Sequence, residues 1–311
     1  MTILHNGALT GVFILFTCAA TFHSNSNATI TGATAAAFVS GTTVRQSFTV
    51  GPEGTQATAS QTIPSPIGDV FVSAQSSSIP GAVRAASVAR TDGSPGGFQG
   101  QASSWWSDRF IISAPGYDSS STGSFSGAVQ VTGGLTVEYS GRTYSDTQAY
   151  ATVDIFPGTG YNGGRTVVSG SARNLVGYQI PGINTGNTSF TLLFLNVPFT
   201  YNQPIDISFS LAVSADVNGS KGRADVDYSH TMTWSGLSRV LDSQGTQVIN
   251  YSAVSAGSGF NFATATPVPE PSSAILIALG VLCIVWRILF KPACQFNIHR
   301  ITPLKNNLVS S

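Results

Sequence analysis

Histidine, the side chain most often used for acid–base catalysis, is almost missing from the middle of this chain. Of four histidines, three lie near the two ends and only His230 lies in the long middle section. A catalytic triad or a zinc site would have to be built around it. On a strand, Asp225 and Asp227 share one face and His230 points to the other. We therefore predict an ordinary strand histidine, with no catalytic residue and no enzymatic activity.

Acidic side chains give only a weak indication of metal binding. The segment 216–220 places oxygen ligands around a turn glycine, as calcium loops do, and Asp225 and Asp227 follow shortly after. The segment lacks a closing glutamate, so a plain turn is the simpler interpretation. Structural Ca²⁺ stays an alternative, and otherwise we predict no metal and no cofactor. Glu138 is the only glutamate of the strand-forming region, so no acid pair for glycoside hydrolysis is predicted.

Trp105 and Trp106 are the aromatic residues that most suggest a ligand site. Adjacent strand residues point to opposite faces, so we expect one indole in the core and the other exposed. An exposed indole beside hydroxyl-rich loops can stack on a sugar ring. The simpler interpretation is that the two tryptophans pack on both sides of one strand and bind nothing.

The composition excludes several classes of protein. Charged residues make up 9% of the 311 residues, and 14 basic side chains match 14 acidic ones. Nucleic-acid binders need a basic field, and ordinary cytosolic enzymes carry more lysine and glutamate. The hydrophobic content of 42% still supports a packed core. We expect an extracellular protein with a hydroxyl-rich surface, and one without disulfides in its middle section, because the cysteines are Cys18, Cys283 and Cys294.

The section from residue 29 to residue 262 has the pattern of β-strands. Short β-branched and aromatic segments alternate with glycine, serine, asparagine and proline clusters. Apolar residues alternate sharply from Asp206 to Val213. Turn residues predict hairpins at Gly133-Gly134 and within 238–249. About ten strands in one section predict an all-β sandwich, of jelly-roll type.

Both ends of the chain have the pattern of export signals. Residues 7–20 form an apolar segment of signal-peptide length, which predicts a signal peptide over 1–20 with cleavage as late as 28. An uncleaved anchor is the alternative. A linker over 263–271 precedes an apolar segment over 272–290, close to the roughly 20 residues that span a membrane. Arg287, Lys291 and the basic tail over 291–311 then lie on the cytoplasmic side, which puts the body outside.

Val268, Pro269, Glu270 and Pro271 stand directly before this apolar segment. Their order, with the basic residues behind, resembles the PEP-CTERM sorting signal of bacterial exported proteins. The resemblance implies recognition of these four residues by an exosortase, a membrane transpeptidase that cuts near the motif. Two features depart from the family pattern: Arg287 and Lys291 are separated by three apolar residues, and the chain continues beyond them.

Together these features predict a non-enzymatic exported protein with no nucleic-acid partner. The body would be anchored outside the bacterial inner membrane and later act at the cell surface or in the exopolysaccharide matrix of a biofilm. A carbohydrate-binding module associated with exopolysaccharide is the competing hypothesis. Trp105 and Trp106 are the residues that would distinguish the two.

Overall fold

A computed structural model describes the body of the protein. The described residues are 29–39, 42–51, 54–63, 69–93, 96–139, 144–157, 166–176, 182–187, 189–219 and 221–266. The predicted signal peptide, the motif at 268–271, the apolar segment and the basic tail lie outside these ranges. Among the described residues, none forms a helix long and apolar enough to cross a membrane.

The described part of the chain folds into fifteen β-strands. Their bounds are β1 Ile30–Val39, β2 Thr42–Gly51, β3 Thr55–Ile63, β4 Val70–Ile79, β5 Ala82–Asp92, β6 Gly97–Ser113, β7 Thr122–Val131, β8 Gly134–Tyr139, β9 Tyr144–Pro157, β10 Thr166–Val176, β11 Gly182–Asn187, β12 Phe190–Thr200, β13 Pro204–Asn218, β14 Lys221–Asp242 and β15 Ser252–Ser255.

These strands form two antiparallel sheets around one core. The seven-stranded sheet has the order β10-β9-β13-β6-β1-β2, with β15 paired to the end of β6. The eight-stranded sheet has the order β11-β8-β14-β5-β4-β3, and β7 and β12 extend it beside β14. The prediction of an all-β fold with two antiparallel sheets is confirmed. The jelly-roll assignment stays a prediction.

Where apolar and polar residues alternate in the sequence of a strand, the apolar side chains are the buried ones. In β13 the residues Ile207, Phe209, Leu211 and Val213 are buried, while the serines between them lie on the outer face. The turn predicted within 238–249 is also present, because the amide of Gly245 donates to the carbonyl of Asp242. Local pattern therefore predicts these elements correctly.

The hairpin predicted at Gly133-Gly134 is wrong. β7 and β8 do not pair with each other. Instead, β7 pairs with the second half of β14, and β8 pairs with the first half of β14. The chain passes from one to the other beside the Tyr228 ring, and a Cβ on Gly133 would lie 2.4 Å from that ring. Glycine is needed there for a close approach, which the sequence pattern does not distinguish from a tight turn.

Aromatic rings fill one part of the core. The largest fully buried side chains include Trp106, Trp234, Tyr201, Tyr228, Phe110, Phe125, Phe194 and Phe262. Trp106 stacks on Phe209, with ring centroids 4.7 Å apart. This cluster provides the core that a body without disulfides needs, since each buried aromatic ring removes a large apolar area from water.

Small side chains fill another part of the core, between β1, β3, β4, β5 and β6. The buried alanines of this part are Ala33, Ala35, Ala37, Ala57, Ala59, Ala74, Ala85, Ala89 and Ala102. Hydroxyls bridge the two sheets here: Ser76 Oγ donates to the Thr34 carbonyl at 2.7 Å, and Ser104 Oγ donates to the Arg84 carbonyl at 2.8 Å. A Cβ on Gly100 would lie 2.8 Å from a carbonyl oxygen of β4. The sheets therefore approach more closely here than the roughly 10 Å usual for stacked sheets.

Candidate functional site

Residues 252–266, the last described part of the body, are called the C-terminal segment. It starts as β15, which pairs with the end of β6, Ser252 opposite Ser113. It then turns back on itself, because the Phe262 amide donates to the Ala253 carbonyl at 2.7 Å. The segment matters for function because the predicted sorting motif follows it directly in the chain.

Asp108 is the polar contact point for this segment. Its carboxylate is buried and accepts hydrogen bonds from Ser255 Oγ at 2.7 Å, Ser258 Oγ at 2.6 Å and Thr29 Oγ1 at 3.0 Å. A fourth bond comes from the Arg109 amide at 2.7 Å. Four donors compensate the burial of a carboxylate that would otherwise be costly. Asp108 thus joins the first described residue of the body to its C-terminal segment.

Phe262 is the apolar contact point of the same segment. Its ring is fully buried and stacks on Phe110 with centroids 4.3 Å apart and on Trp106 with centroids 5.5 Å apart. Its carbonyl accepts from Trp234 Nε1 at 2.8 Å and from the Leu237 amide at 3.2 Å. The C-terminal segment is therefore part of the core.

The contacts of the body continue to Thr266, past the predicted end at 262. The Thr266 amide donates to the Trp234 carbonyl at 2.8 Å, and its Oγ1 donates to the Gly81 carbonyl at 3.2 Å. Gly236 makes room for the chain there, since a Cβ on it would lie 3.0 Å from the Ala265 amide nitrogen. The next residue, 267, is outside the described part.

The structure separates the two predicted glycan-stacking residues. Trp106 is 0% exposed and packs between Phe209 and Phe262, so a sugar has no surface to stack on there. Trp105 lies on the outer face of the seven-stranded sheet and is partly exposed. Of the two, only Trp105 stays a candidate for ligand contact.

The carboxylates predicted as alternative calcium ligands do not converge. Asp216 lies on the outer face of the seven-stranded sheet, whereas Asp225 and Asp227 lie on the outer face of the eight-stranded sheet. Asp225 pairs with Arg223 at 2.6 Å, and Asp227 accepts the Ser229 amide at 2.9 Å. These acids therefore cannot share one ion. The side chain of His230 lies outside the described side chains, and in the described ranges no three potential metal ligands lie together.

The strand register creates one acid pair that the sequence pattern does not predict. Asp146 of β9 lies directly opposite Asp216 of β13 on the outer face. Burial, and then the charge of Asp146, raise the pKa of Asp216 to about 6. Gln99 Nε2 donates to Asp216 Oδ2 at 3.5 Å. The two acids are far apart in the chain, and only the register of β9 on β13 brings them together.

Comparison with known proteins identifies the tail. Residues 267–288 match the family described as the PEP-CTERM protein-sorting motif. This match confirms the resemblance predicted from Val268, Pro269, Glu270 and Pro271. It begins at the residue after Thr266 and covers a small part of the chain. No curated protein and no solved structure matches the sequence.

Proposed function

Because the chain carries a PEP-CTERM sorting motif at residues 267–288, we propose that it is a non-enzymatic protein exported across the bacterial inner membrane and sorted by an exosortase. The motif match is the observation that carries this proposal. In this function Val268, Pro269, Glu270 and Pro271 are recognised by the transpeptidase. The prolines favour an extended, accessible backbone, because each fixes φ and lacks an amide donor.

The composition of the body supports export. Charged residues are scarce and hydroxyls abundant, and the cysteines all lie outside residues 29–266. A fold that needs no disulfide is independent of oxidation after export, and the buried aromatic cluster supplies its stability instead.

The sequence of the tail supports a topology in which the body lies on the outer side of the bacterial inner membrane. Residues 272–290 have the length and apolarity of a membrane span, and Trp286 suits the interface. Arg287 and Lys291 follow the apolar residues, so the positive-inside tendency places 291–311 in the cytoplasm. The N-terminal signal peptide would direct the body to the opposite side.

The contacts of the C-terminal segment suit a protein that is held by its tail. The covalent path from the tail enters the body at Thr266, which is bonded to β14 through the Trp234 carbonyl. Phe262 and Asp108 fix the same segment within the core. Any pull on the tail is thereby distributed over β6 and β14, the central strands of the two sheets.

Replacement of the glutamate in the motif tests recognition by the exosortase. We expect Glu270→Ala to accumulate as uncut full-length chain in the membrane fraction of cells that express the enzyme, since the residue that the enzyme reads is lost. Immunoblots against the body and against a tag after Ser311 measure the cut. Lys305→Ala, in the same tail but outside the matched residues, is the control and should be cut normally. Normal cutting of Glu270→Ala would refute recognition through this motif.

The role of the sorted body is structural or adhesive, at the cell surface or in an exopolysaccharide matrix. Its low charge and hydroxyl-rich faces suit contact with neutral glycans. The competing candidate is a carbohydrate-binding module, and the partly exposed indole of Trp105 is the observation that favours it.

A further inference from the structure

We propose that the outer face of the seven-stranded sheet binds a neutral polysaccharide, with Trp105 and Phe48 as its stacking surface. This inference deepens the carbohydrate-binding alternative and rests on the proposed export, since the ligand is an extracellular polymer. It concerns one face of the body and is independent of how the tail is processed.

The stacking surface consists of two neighbouring rings. Trp105 lies flat across β1, because Gly32 opposite it has no side chain: a Cβ there would lie 2.0 Å from Trp105 Cζ2. Phe48 of β2 is 59% exposed, and its ring centroid lies 5.9 Å from that of Trp105. The two planes differ by 32°. Two adjacent rings, tilted by 32° to each other on a sheet surface, offer an apolar face on which a pyranose ring can stack.

A row of small residues continues from this surface across the sheet. The strand register places Phe48 opposite Thr34, Thr34 opposite Ser103, Ser103 opposite Ala212 and Ala212 opposite Tyr150. Phe48 and Tyr150 at the two ends are exposed aromatics, and the three residues between them are small. Four strand spacings separate the ends, about 19 Å at about 4.8 Å each. The row is long enough for several sugar rings.

Hydroxyl pairs line this part of the face. Thr34 Oγ1 and Ser103 Oγ lie 2.6 Å apart, and Ser107 Oγ donates to Ser208 Oγ at 3.0 Å. Each hydroxyl carries one donor and two acceptor lone pairs, so these pairs keep capacity for further hydrogen bonds. Sugar hydroxyls have the same mixed donor and acceptor character.

The charges on the face favour a neutral polymer over an anionic one. Arg109 is engaged by Asp206 through two bonds of 2.6 and 3.2 Å. Asp146, Asp154 and Asp216 lie on the same face of the described sheet. Asp146 is buried and Asp216 is half-buried, but with Asp154 and Asp206 they leave the described side chains of this face more acidic than basic. A net acidic face disfavours an anionic polysaccharide by like-charge repulsion, whereas a neutral chain is not repelled.

Affinity electrophoresis of the full-length protein in mild detergent tests this site. Native gels containing dextran, mixed-linkage β-glucan or galactomannan serve as neutral probes, and alginate serves as the anionic probe. We expect at least one neutral gel to retard the wild type and alginate to leave it unretarded. Trp105→Ala and Phe48→Ala should each weaken binding about tenfold or more, as loss of a central aromatic contact does.

A matched control separates stacking from surface hydrophobicity. Phe71 is also an exposed aromatic, on the outer face of the eight-stranded sheet, and Phe71→Ala should be retarded like the wild type. If Trp105→Ala lowers the melting temperature, its loss of binding could come from unfolding. Phe48→Ala removes an exposed ring, so a loss of binding in that variant reports on stacking.

Four results would overturn the proposal: no retardation by any neutral gel, equal retardation of Trp105→Ala and wild type, equal loss in Phe71→Ala, or stronger retardation by alginate.

Sedimentation gives a further check. If the face instead packs against a second copy of the chain, the wild type sediments as a dimer that Phe48→Ala dissociates, and the proposal fails. None of these results depends on cutting of the tail, so failure here is distinguishable from failure of the proposed sorting.

Discussion

Phe262→Ala is expected to lower the free energy of unfolding by about 3–5 kcal/mol, the cost of emptying a buried aromatic site. The ring stacks on Phe110 and Trp106 and meets the edges of Trp234 and Phe260. Alanine would leave a cavity among four large rings, which cannot close it without leaving their stacked arrangement. The C-terminal segment would lose its main apolar contact.

Urea unfolding of the full-length protein in mild detergent, followed by tryptophan fluorescence, measures this loss. Phe71→Ala is the matched control, because it removes the same side chain from an exposed position and should cost less than about 1 kcal/mol. A similar small loss for Phe262→Ala would contradict the placement of the C-terminal segment in the core.

Asp108→Ala should cost about 3 kcal/mol, because it removes the acceptor of four hydrogen bonds in a buried place. The hydroxyls of Ser255, Ser258 and Thr29 would lose their shared partner. Hydrogen exchange should rise first in residues 252–266, since β15 pairs with β6 through only four residue pairs.

Asp118 provides a matched control for this carboxylate. It also accepts bonds from two serines, Ser120 and Ser121, but in an exposed turn. These bonds lower the pKa of Asp118 to about 2. Water replaces lost partners there, so Asp118→Ala should cost far less and leave exchange in 252–266 unchanged. An equal cost for the two variants would show that Asp108 is not the contact point that fixes the segment.

The sequence predicts those parts of the fold that local pattern determines. Alternation in β13 identifies its buried row, and the residues after Asp242 identify a turn. The same turn chemistry fails at Gly133, where the glycine serves a close approach to Tyr228 and not a hairpin. The alternation of apolar and polar residues and the turn residues are local. They do not indicate which distant strand pairs with a given strand.

In the candidate sites, too, local pattern predicts some features, and contacts between distant residues determine the others. That Trp105 and Trp106 point to opposite faces follows from the strand period, but which of them is buried depends on packing against Phe262. Asp108 lies on the inward row of β6, where alternation predicts an apolar residue. Its serine partners lie 147 and 150 residues further along the chain. Nothing local indicates such a bond network. The sorting motif, in contrast, is a contiguous pattern, so the sequence alone identifies it.

The most direct test of the central claim is the intact mass of the protein purified from cells that express the exosortase. We predict a mature chain that lacks the signal peptide, residues 1–20 or at most 1–28, and ends within residues 267–271, so that Thr266 and the C-terminal segment stay with the body. A purified extracellular or surface-attached protein that still ends at Ser311 would contradict sorting through this tail.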